Sequence, residues 1–130
     1  MPQVKIEILK GHSKEYKAAL LQAVHDGLVS GLSLSDDNRD QRLYELDADC
    51  YERSANSGKT DKATLIEITM LPGRSVELKK KTITEIARLL GERLEIAPPD
   101  VSIIIYDPPL DNWGIKGCQA SELGLQYKKD

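Results

Sequence analysis

The sequence predicts an α+β domain in which duplicated β-α-β units form a four-stranded, mainly parallel sheet with two helices on one face. Two observations predict this fold class. The order strand, helix, strand occurs twice in the 130 residues, with an offset of about 60 residues. In both occurrences, apolar residues first alternate and then recur at helical spacing. Each connection between parallel strands is expected to be a right-handed crossover.

The first unit contains a strand over Val4–Leu9, where every second residue is apolar. Ser13 then occupies the position expected of a helix N-cap. A polar turn leads from the helix to a second strand, Gln41–Leu46. The buried face of this helix is predicted to contain Leu21, Val24, His25 and Leu28.

The second unit repeats this pattern, beginning with a strand over Thr64–Met70 that contains the same tripeptide, Ile-Glu-Ile. Ser75 is the expected N-cap, and it follows Gly-Arg as the first cap follows Gly-His. Two prolines after the helix end it, and the last strand is predicted over Val101–Asp107. The buried helix face is predicted to contain Ile83, Ile86, Ala87 and Leu90.

The whole chain is therefore predicted to be one domain over residues 1–130. Its parts are pseudo-repeats of about 2–46 and 64–107, a linking loop 47–63 and a C-terminal tail 108–130. The last strand is apolar on both sides, which indicates burial on both faces of the sheet. We therefore expect other subunits to cover the sheet face that the helices leave open.

Composition argues against several classes of function. The net charge of -3 and the pI of about 5.4 do not favour nucleic acid as a partner. No apolar run approaches the roughly 20 residues of a membrane span. Cys50 and Cys118 match no metal-ligand spacing, and a cytoplasmic protein with reduced thiols is the simplest expectation. The sequence contains no phosphate-binding loop, and His12, His25 and Asp26 do not form a convincing set of metal ligands, so neither a cofactor nor a metal is expected.

Five stretches, in their order and spacing, resemble the tautomerase superfamily. They are MPQVKIEIL (1–9), LLQAVHDGLV (20–29), LPGRSVELKKK (71–81), PPDVSIII (98–105) and DNWGIKG (111–117). The resemblance is closest to the long, internally duplicated members, which include decarboxylases and dehalogenases. It implies the tautomerase, or MIF-like, fold, packing as a homotrimer and a hydrophobic pocket around the N-terminal proline.

Pro2 is the first candidate catalytic residue. Methionine is normally removed before a small residue, which would leave Pro2 with a free secondary amine. A free α-amino group has a pKa of about 8, and burial beside a cation would lower this pKa towards neutrality, which suits a general base. The alternative is that Pro2 begins an edge strand, where the missing N–H costs nothing. The resemblance favours the catalytic role.

Arg74 and His25 are the other candidate catalytic residues. Arg74 lies at a helix N-terminus, where anions are favoured, and its guanidinium can bind a carboxylate bidentately. The resemblance implies that Arg74 binds the substrate carboxylate, whereas the alternative is a surface loop arginine. The decarboxylases and dehalogenases carry a second arginine shortly before this one, but residues 70–72 here are uncharged. His25 matches a dehalogenase histidine, although a lone histidine on an apolar face is more often structural.

Asn38, Trp113 and Ile115 are candidate substrate-binding residues. Asn38 falls where decarboxylases have an aspartate; its amide cannot act as a base but can form hydrogen bonds to a carbonyl or a water. Aspartates flank it, so a shift of one or two residues would restore an acid. Trp113 and Ile115 resemble the apolar wall of the decarboxylase pocket. Ile115 also replaces the water-activating glutamate of the dehalogenases, and Trp113 is equally suited to a subunit contact or the core.

The sequence thus predicts a cofactor-independent isomerase, a keto–enol tautomerase that uses Pro2 as general base on a small 2-oxo or enol carboxylate. Two alternatives remain open. One is decarboxylation or hydration of a 3-oxo acid, which needs a carboxylate that activates water. The other is a trimeric binding protein that has kept the scaffold without catalysis.

Overall fold

A computed structural model describes residues 2–130. Met1, whose removal the catalytic role of Pro2 requires, lies outside the described residues. The main elements, in chain order, are β1 (Gln3–Leu9), α1 (Lys14–Leu32), β2 (Gln41–Leu46), β3 (Thr64–Thr69), α2 (Val76–Leu94) and β4 (Val101–Tyr106). The tail adds a short hairpin of β5 (Gly114–Ile115) and β6 (Cys118–Gln119). This element order confirms the predicted fold class.

The four main strands form one mixed sheet in the order β2-β1-β3-β4. Each outer strand is parallel to its inner neighbour, and the two inner strands are antiparallel, with Ile6 opposite Ile66. The starts of β1 and β2 therefore lie at the same end of the sheet as the final residues of β3 and β4. We call this the Pro2 end and the opposite one the Thr64 end.

Both helices begin and end in the same way. The side chains of Ser13 and Ser75 accept hydrogen bonds from backbone N–H groups in the first turn, as an N-cap does. Each helix has 19 residues and ends at a cap residue in the left-handed conformation, Ser33 or Glu95. The predicted caps are therefore correct.

The two helices pack on one face of the sheet and approach each other closely at two glycines of α1. A Cβ atom on Gly27 would lie 2.6 Å from the side chain of Ile86, and one on Gly31 would lie 2.6 Å from the Cα of Thr82. This contact turns α2 so that Thr82, and not the predicted Ile83, is buried; Ile83 is 39% exposed. In α1, Leu20 lies in the core, and the predicted Leu21 is only half-buried.

The other face of the sheet is open in the single chain. Ile104 and Tyr106 of β4 are 41% and 44% exposed on this face, beside charged residues such as Lys5 and Glu67. Within one chain this face of β4 is uncovered, so its burial by other subunits stays a prediction. Among residues 2–130, no helix has the length and apolar character needed to cross a membrane.

Candidate functional site at the Pro2 end

The topology brings three of the candidate residues to the Pro2 end. Pro2 directly precedes β1, Asn38 lies in the loop that precedes β2, and Arg74 lies in the loop that follows β3. Backbone hydrogen bonds of 2.9 Å hold these segments at the strand ends, from Val4 N–H to Asp40 O and from Met70 N–H to Tyr106 O. Residues far apart in sequence therefore lie together at the Pro2 end of the sheet.

Pro2 is a buried residue. In the antiparallel register of β1 and β3, Gln3 faces Thr69, so Pro2 comes next in line beside Met70. Met70, Leu71 and Val4 are all buried in this part of the chain. An amine at this position would lie in surroundings of low polarity, where its neutral, basic form is favoured.

Arg74 is a cation in a buried position. The residue is 7% exposed, and its Nη1 atom has no hydrogen-bond partner among the described residues. Burial lowers the pKa of the guanidinium, an effect that the hydroxyl of Tyr127 partly opposes. Because a buried charge without a counter-ion is costly, this position is suited to an anionic ligand.

The loop 33–40 fixes its aspartates and leaves its asparagine unpaired. A carboxylate oxygen of Asp36 lies 3.1 Å from Nε2 of the buried His25. Asp37 accepts a hydrogen bond from the Ser35 hydroxyl, and Asp40 forms an ion pair with Arg42 at 2.9 Å. The Oδ1 atom of Asn38, in contrast, is buried and has no partner among the described residues.

His25 therefore lies under the loop and contacts it through Asp36. This contact ties helix α1 to the loop that carries Asn38. The neighbouring Asp26 pairs with Arg93 of α2 at 2.6 Å, and this arginine holds the pKa of the Asp26 carboxyl below its usual range. Ligand atoms of His25, Asp26 and Asp36 lie within 4.8 Å of one another, but the guanidinium on Asp26 makes the group a poor cation site.

Trp113 and Ile115 belong to the segment that leaves the Pro2 end after β4. The indole N–H of Trp113 donates to Pro108 O at 3.2 Å, and the backbone carbonyl of Trp113 accepts from Ala120 N–H at 2.9 Å. Ile115 pairs with Cys118 in the β5–β6 hairpin. Both side chains are half-buried. These contacts lie within the tail, so the role of a pocket wall stays a prediction.

The structure adds residues that sequence patterns did not indicate. Gln41 donates from Nε2 to Leu21 O at 2.9 Å, and its buried Oε1 has no partner among the described residues. Tyr127 donates from its hydroxyl to Pro72 O at 2.7 Å, which brings the C-terminal tail onto the loop of Arg74. Gln41 resembles an ordinary polar residue at a strand start, and the tail shows no apolar periodicity that could have indicated this contact.

Comparisons with known proteins agree with this architecture. A family model described as "Tautomerase enzyme" matches residues 38–116, more than half of the chain. The 2-hydroxymuconate tautomerase of Comamonas testosteroni is 45% identical over 58 residues, which are 45% of this chain and 92% of that protein. That protein is thus about half as long as this chain.

Two solved structures match along nearly the whole chain. A fused 4-OT described as a symmetric trimer is 25% identical, with a TM-score of 0.80, and the match covers 95% of this chain and 99% of that one. A malonate semialdehyde decarboxylase inhibited by 3-bromopropiolate is 26% identical, with a TM-score of 0.79, and covers 97% and 99% of the two chains.

Proposed function

Because the chain belongs to the tautomerase enzyme family, we propose that it is a cofactor-independent keto–enol tautomerase that acts on a small 2-oxo or enol carboxylate. Pro2 is its general base once Met1 has been removed. One observation supports this most strongly: the buried Pro2 shares its end of the sheet with Arg74, a buried cation whose Nη1 is unpartnered among the described residues.

In the proposed reaction, the Pro2 nitrogen takes the proton from the enol hydroxyl. The oxygen then forms the carbonyl, and the electron pair of the carbon–carbon double bond moves to the carbon of that bond that does not carry the oxygen. That carbon takes the proton back from the Pro2 ammonium, so substrate and product are isomers and no co-reactant is needed. Proton transfer by a positioned group typically contributes about 10²- to 10⁴-fold to the rate.

The other residues position the substrate. Arg74 holds the carboxylate and stabilises negative charge that develops on the oxygen. The Oδ1 atom of Asn38, which is unpartnered among the described residues, accepts a hydrogen bond from the enol hydroxyl of the substrate, while Trp113 and Ile115 exclude water. His25 acts through its contact with Asp36, which fixes the loop of Asn38.

The experiment begins with the intact mass of the purified protein, which is expected to lack Met1. Ketonisation of phenylenolpyruvate is then measured for the native protein and for Pro2→Ala, where kcat/KM should fall about 10²- to 10⁴-fold. Gln3→Ala, one residue further in an exposed position, is the matched control and should stay within about twofold of native. Full activity in Pro2→Ala would show that the mechanism is wrong.

A homotrimer in the cytoplasm is part of the same proposal. The fused 4-OT that matches nearly the whole chain is a symmetric trimer. The open sheet face, with the exposed Ile104 and Tyr106, offers a surface for other copies. Light scattering should give the mass of three chains, and the mass of one chain would contradict the trimer. The exposed, unpaired thiols of Cys50 and Cys118 support a reducing compartment.

Decarboxylation or hydration of a 3-oxo acid is the second candidate, supported by the match to a malonate semialdehyde decarboxylase. It ranks below tautomerisation because the aspartates of loop 33–40 are engaged with His25, Ser35 and Arg42. Among residues 2–130, the buried side-chain atom of that loop without a partner is Oδ1 of Asn38, and an amide cannot activate water as a base. Membership of an enzyme family makes the non-catalytic binding protein the weakest interpretation.

A further inference from the structure

A small cavity lies at the Thr64 end, between the open face of the sheet and the loop 47–63. Its volume is about 140 Å³, roughly the space of five water molecules at about 30 Å³ each. Its apolar walls include Leu46, Ala63 and Leu65. Ile104 and Tyr106, which the trimer proposal places against other copies, do not line it. The cavity is therefore formed by a single chain, at the opposite end of the sheet from Pro2.

Two side chains of opposite charge lie on either side of this cavity. Glu7, Leu65 and Ser102 are direct neighbours across β1, β3 and β4. Three adjacent strands span about 10 Å, which separates the backbone of Glu7 from that of Ser102. Lys59 of the loop donates from Nζ to Ser102 Oγ and to Pro99 O, both at 3.3 Å. An anionic and a cationic side chain thus line the cavity on opposite sides of Leu65.

Neither of these two charges is neutralised in the part of the chain that the structure describes. Within 4.0 Å, Glu7 and Lys59 form no ion pair with each other or with another residue of 2–130. The two acceptors of the Lys59 ammonium are uncharged oxygens. Both charges are therefore free to attract the opposite charge of a ligand.

The loop holds the Lys59 backbone in a fixed position. The N–H of Lys59 donates to Ser57 Oγ at 3.2 Å. The next residue, Thr60, is fixed to Asp100 by its backbone N–H and its hydroxyl, at 2.6 and 2.5 Å. Lys59 itself is half-buried. A binding group that is already ordered loses less conformational entropy when a ligand binds.

We propose that this cavity binds a small ω-amino acid, a molecule with a carboxylate at one end and an ammonium at the other. The carboxylate binds the ammonium of Lys59, the ammonium binds the carboxylate of Glu7, and the methylene groups between them pack on Leu65. An α-amino acid carries both charges on one carbon and is less suited to groups on opposite walls. The inference is independent of the proposed tautomerase function, because it involves no residue of the Pro2 end.

Titration calorimetry at pH 7 tests the site with three ligands of three carbons each: β-alanine, propionate and propylamine. The native protein should bind β-alanine most tightly. Lys59→Gln should weaken β-alanine about fivefold and leave propylamine within about twofold. Glu7→Gln should also weaken β-alanine about fivefold, but leave propionate within about twofold. All titrations are repeated in Arg74→Met, where β-alanine should bind as in the native protein.

Lys5→Gln and Glu52→Gln remove the same charges from exposed positions outside the cavity and should leave β-alanine within about twofold. Thermal melts show whether Lys59→Gln loosens the loop. Glu7 has no side-chain hydrogen bond among the described residues, so Glu7→Gln tests the site without that complication. The proposal fails if β-alanine binds no more tightly than propionate and propylamine, or if either cavity substitution leaves its affinity unchanged. It also fails if Arg74→Met abolishes binding, because β-alanine would then occupy the Pro2 end.

Discussion

The two ends of the sheet have the same kind of turn before a helix, but the polar residues in these turns differ in their hydrogen bonding. At each end, a glycine with a φ near +117° is followed by one polar residue and then by the serine that caps a helix. At the Pro2 end that residue is Arg74, whose Nη1 is unpartnered among the described residues. At the Thr64 end it is His12, whose Nε2 lies 2.8 Å from Asp61 O.

The segments that precede the outer strands show the same difference. Asn38, before β2, has a buried Oδ1 without a partner among the described residues. Asp100, directly before β4, is more deeply buried as a residue, at 2% exposure, but accepts hydrogen bonds from the backbone N–H of Thr60 at 2.6 Å and from its hydroxyl at 2.5 Å. Both Asp61 and Thr60 belong to the loop 47–63, which therefore satisfies the polar groups of the Thr64 end.

Buried polar groups in folded proteins are nearly always hydrogen-bonded, so unpaired ones need an explanation. Among the described residues, buried unpartnered side-chain atoms occur in Asn38, Gln41 and Arg74 at the Pro2 end and in Tyr16 at the Thr64 end. The loop 47–63 therefore stabilises one end of the sheet, and the unpartnered groups of the other end support the proposal that a ligand binds there.

The largest contrast is expected between Arg74→Met and His12→Met. Arg74→Met should lower kcat/KM for an enol carboxylate about 100-fold, because the charge-assisted bonds to the carboxylate are lost. It should also raise the melting temperature, since a buried charge without a partner is replaced by an apolar side chain. His12→Met should lower the melting temperature by a few degrees and leave kcat/KM within about twofold.

Ketonisation kinetics and thermal melts of the two variants measure this contrast. Arg74→Lys, which keeps the charge without the planar fork, is the control that separates charge from geometry, and it should recover only part of the activity. A melting temperature that falls in Arg74→Met would mean that Arg74 is a structural residue, and the two ends would then not differ as described.

A smaller contrast is expected between the two loops. Thr60→Val removes the hydroxyl that donates to Asp100 and should lower the free energy of unfolding by about 1–3 kcal/mol, with activity retained. Asn38→Leu removes an amide whose Oδ1 is unpartnered, so it should leave stability nearly unchanged and reduce kcat/KM about tenfold. Urea unfolding and steady-state kinetics test both; a large loss of stability in Asn38→Leu would contradict the assignment.

Sequence patterns predicted the parts of this molecule that depend on local chemistry. The serine caps lie where a polar residue precedes helical spacing, and the strand Gln41–Leu46 was predicted with the bounds that it has. The buried helix faces were less accurate. The burial of Thr82 in place of Ile83 depends on Gly27 and Gly31 of the other helix, and a single helix pattern contains no information about such a contact.

The candidate site shows the same limit. Arg74 could be singled out because it stands next to a cap, where the helix N-terminus favours anions. Gln41 and Tyr127 could not, because their significance comes from contacts between segments 20 to more than 50 residues apart. That the aspartates beside Asn38 are engaged is also a property of the folded loop and of α1, and sequence order alone left their roles open.

The smallest expected effect concerns Tyr16. Among the described residues, its buried hydroxyl has no hydrogen-bond partner, although it lies at the Thr64 end, where the other buried polar groups are paired. Burial raises the pKa of Tyr16 above its ordinary value of 10.0, and the nearby charge of Asp100 acts in the same direction. A group whose pKa is raised by folding contributes stability below its unfolded pKa and loses it as the pH rises through the folded value. The native protein should therefore lose stability above about pH 10, and Tyr16→Phe should lose less.

Urea unfolding at pH 7 and pH 10.5 measures this difference, with Tyr51→Phe in the loop 47–63 as the control. At pH 7, Tyr16→Phe should be as stable as the native protein or slightly more stable, because the hydroxyl that it removes has no partner among the described residues. Activity should be unchanged at this pH, since Tyr16 lies at the end of the sheet away from Pro2. If Tyr16→Phe instead lowers kcat/KM while stability is constant, then the Thr64 end also binds the substrate. The proposal that only the Pro2 end does so would then be wrong.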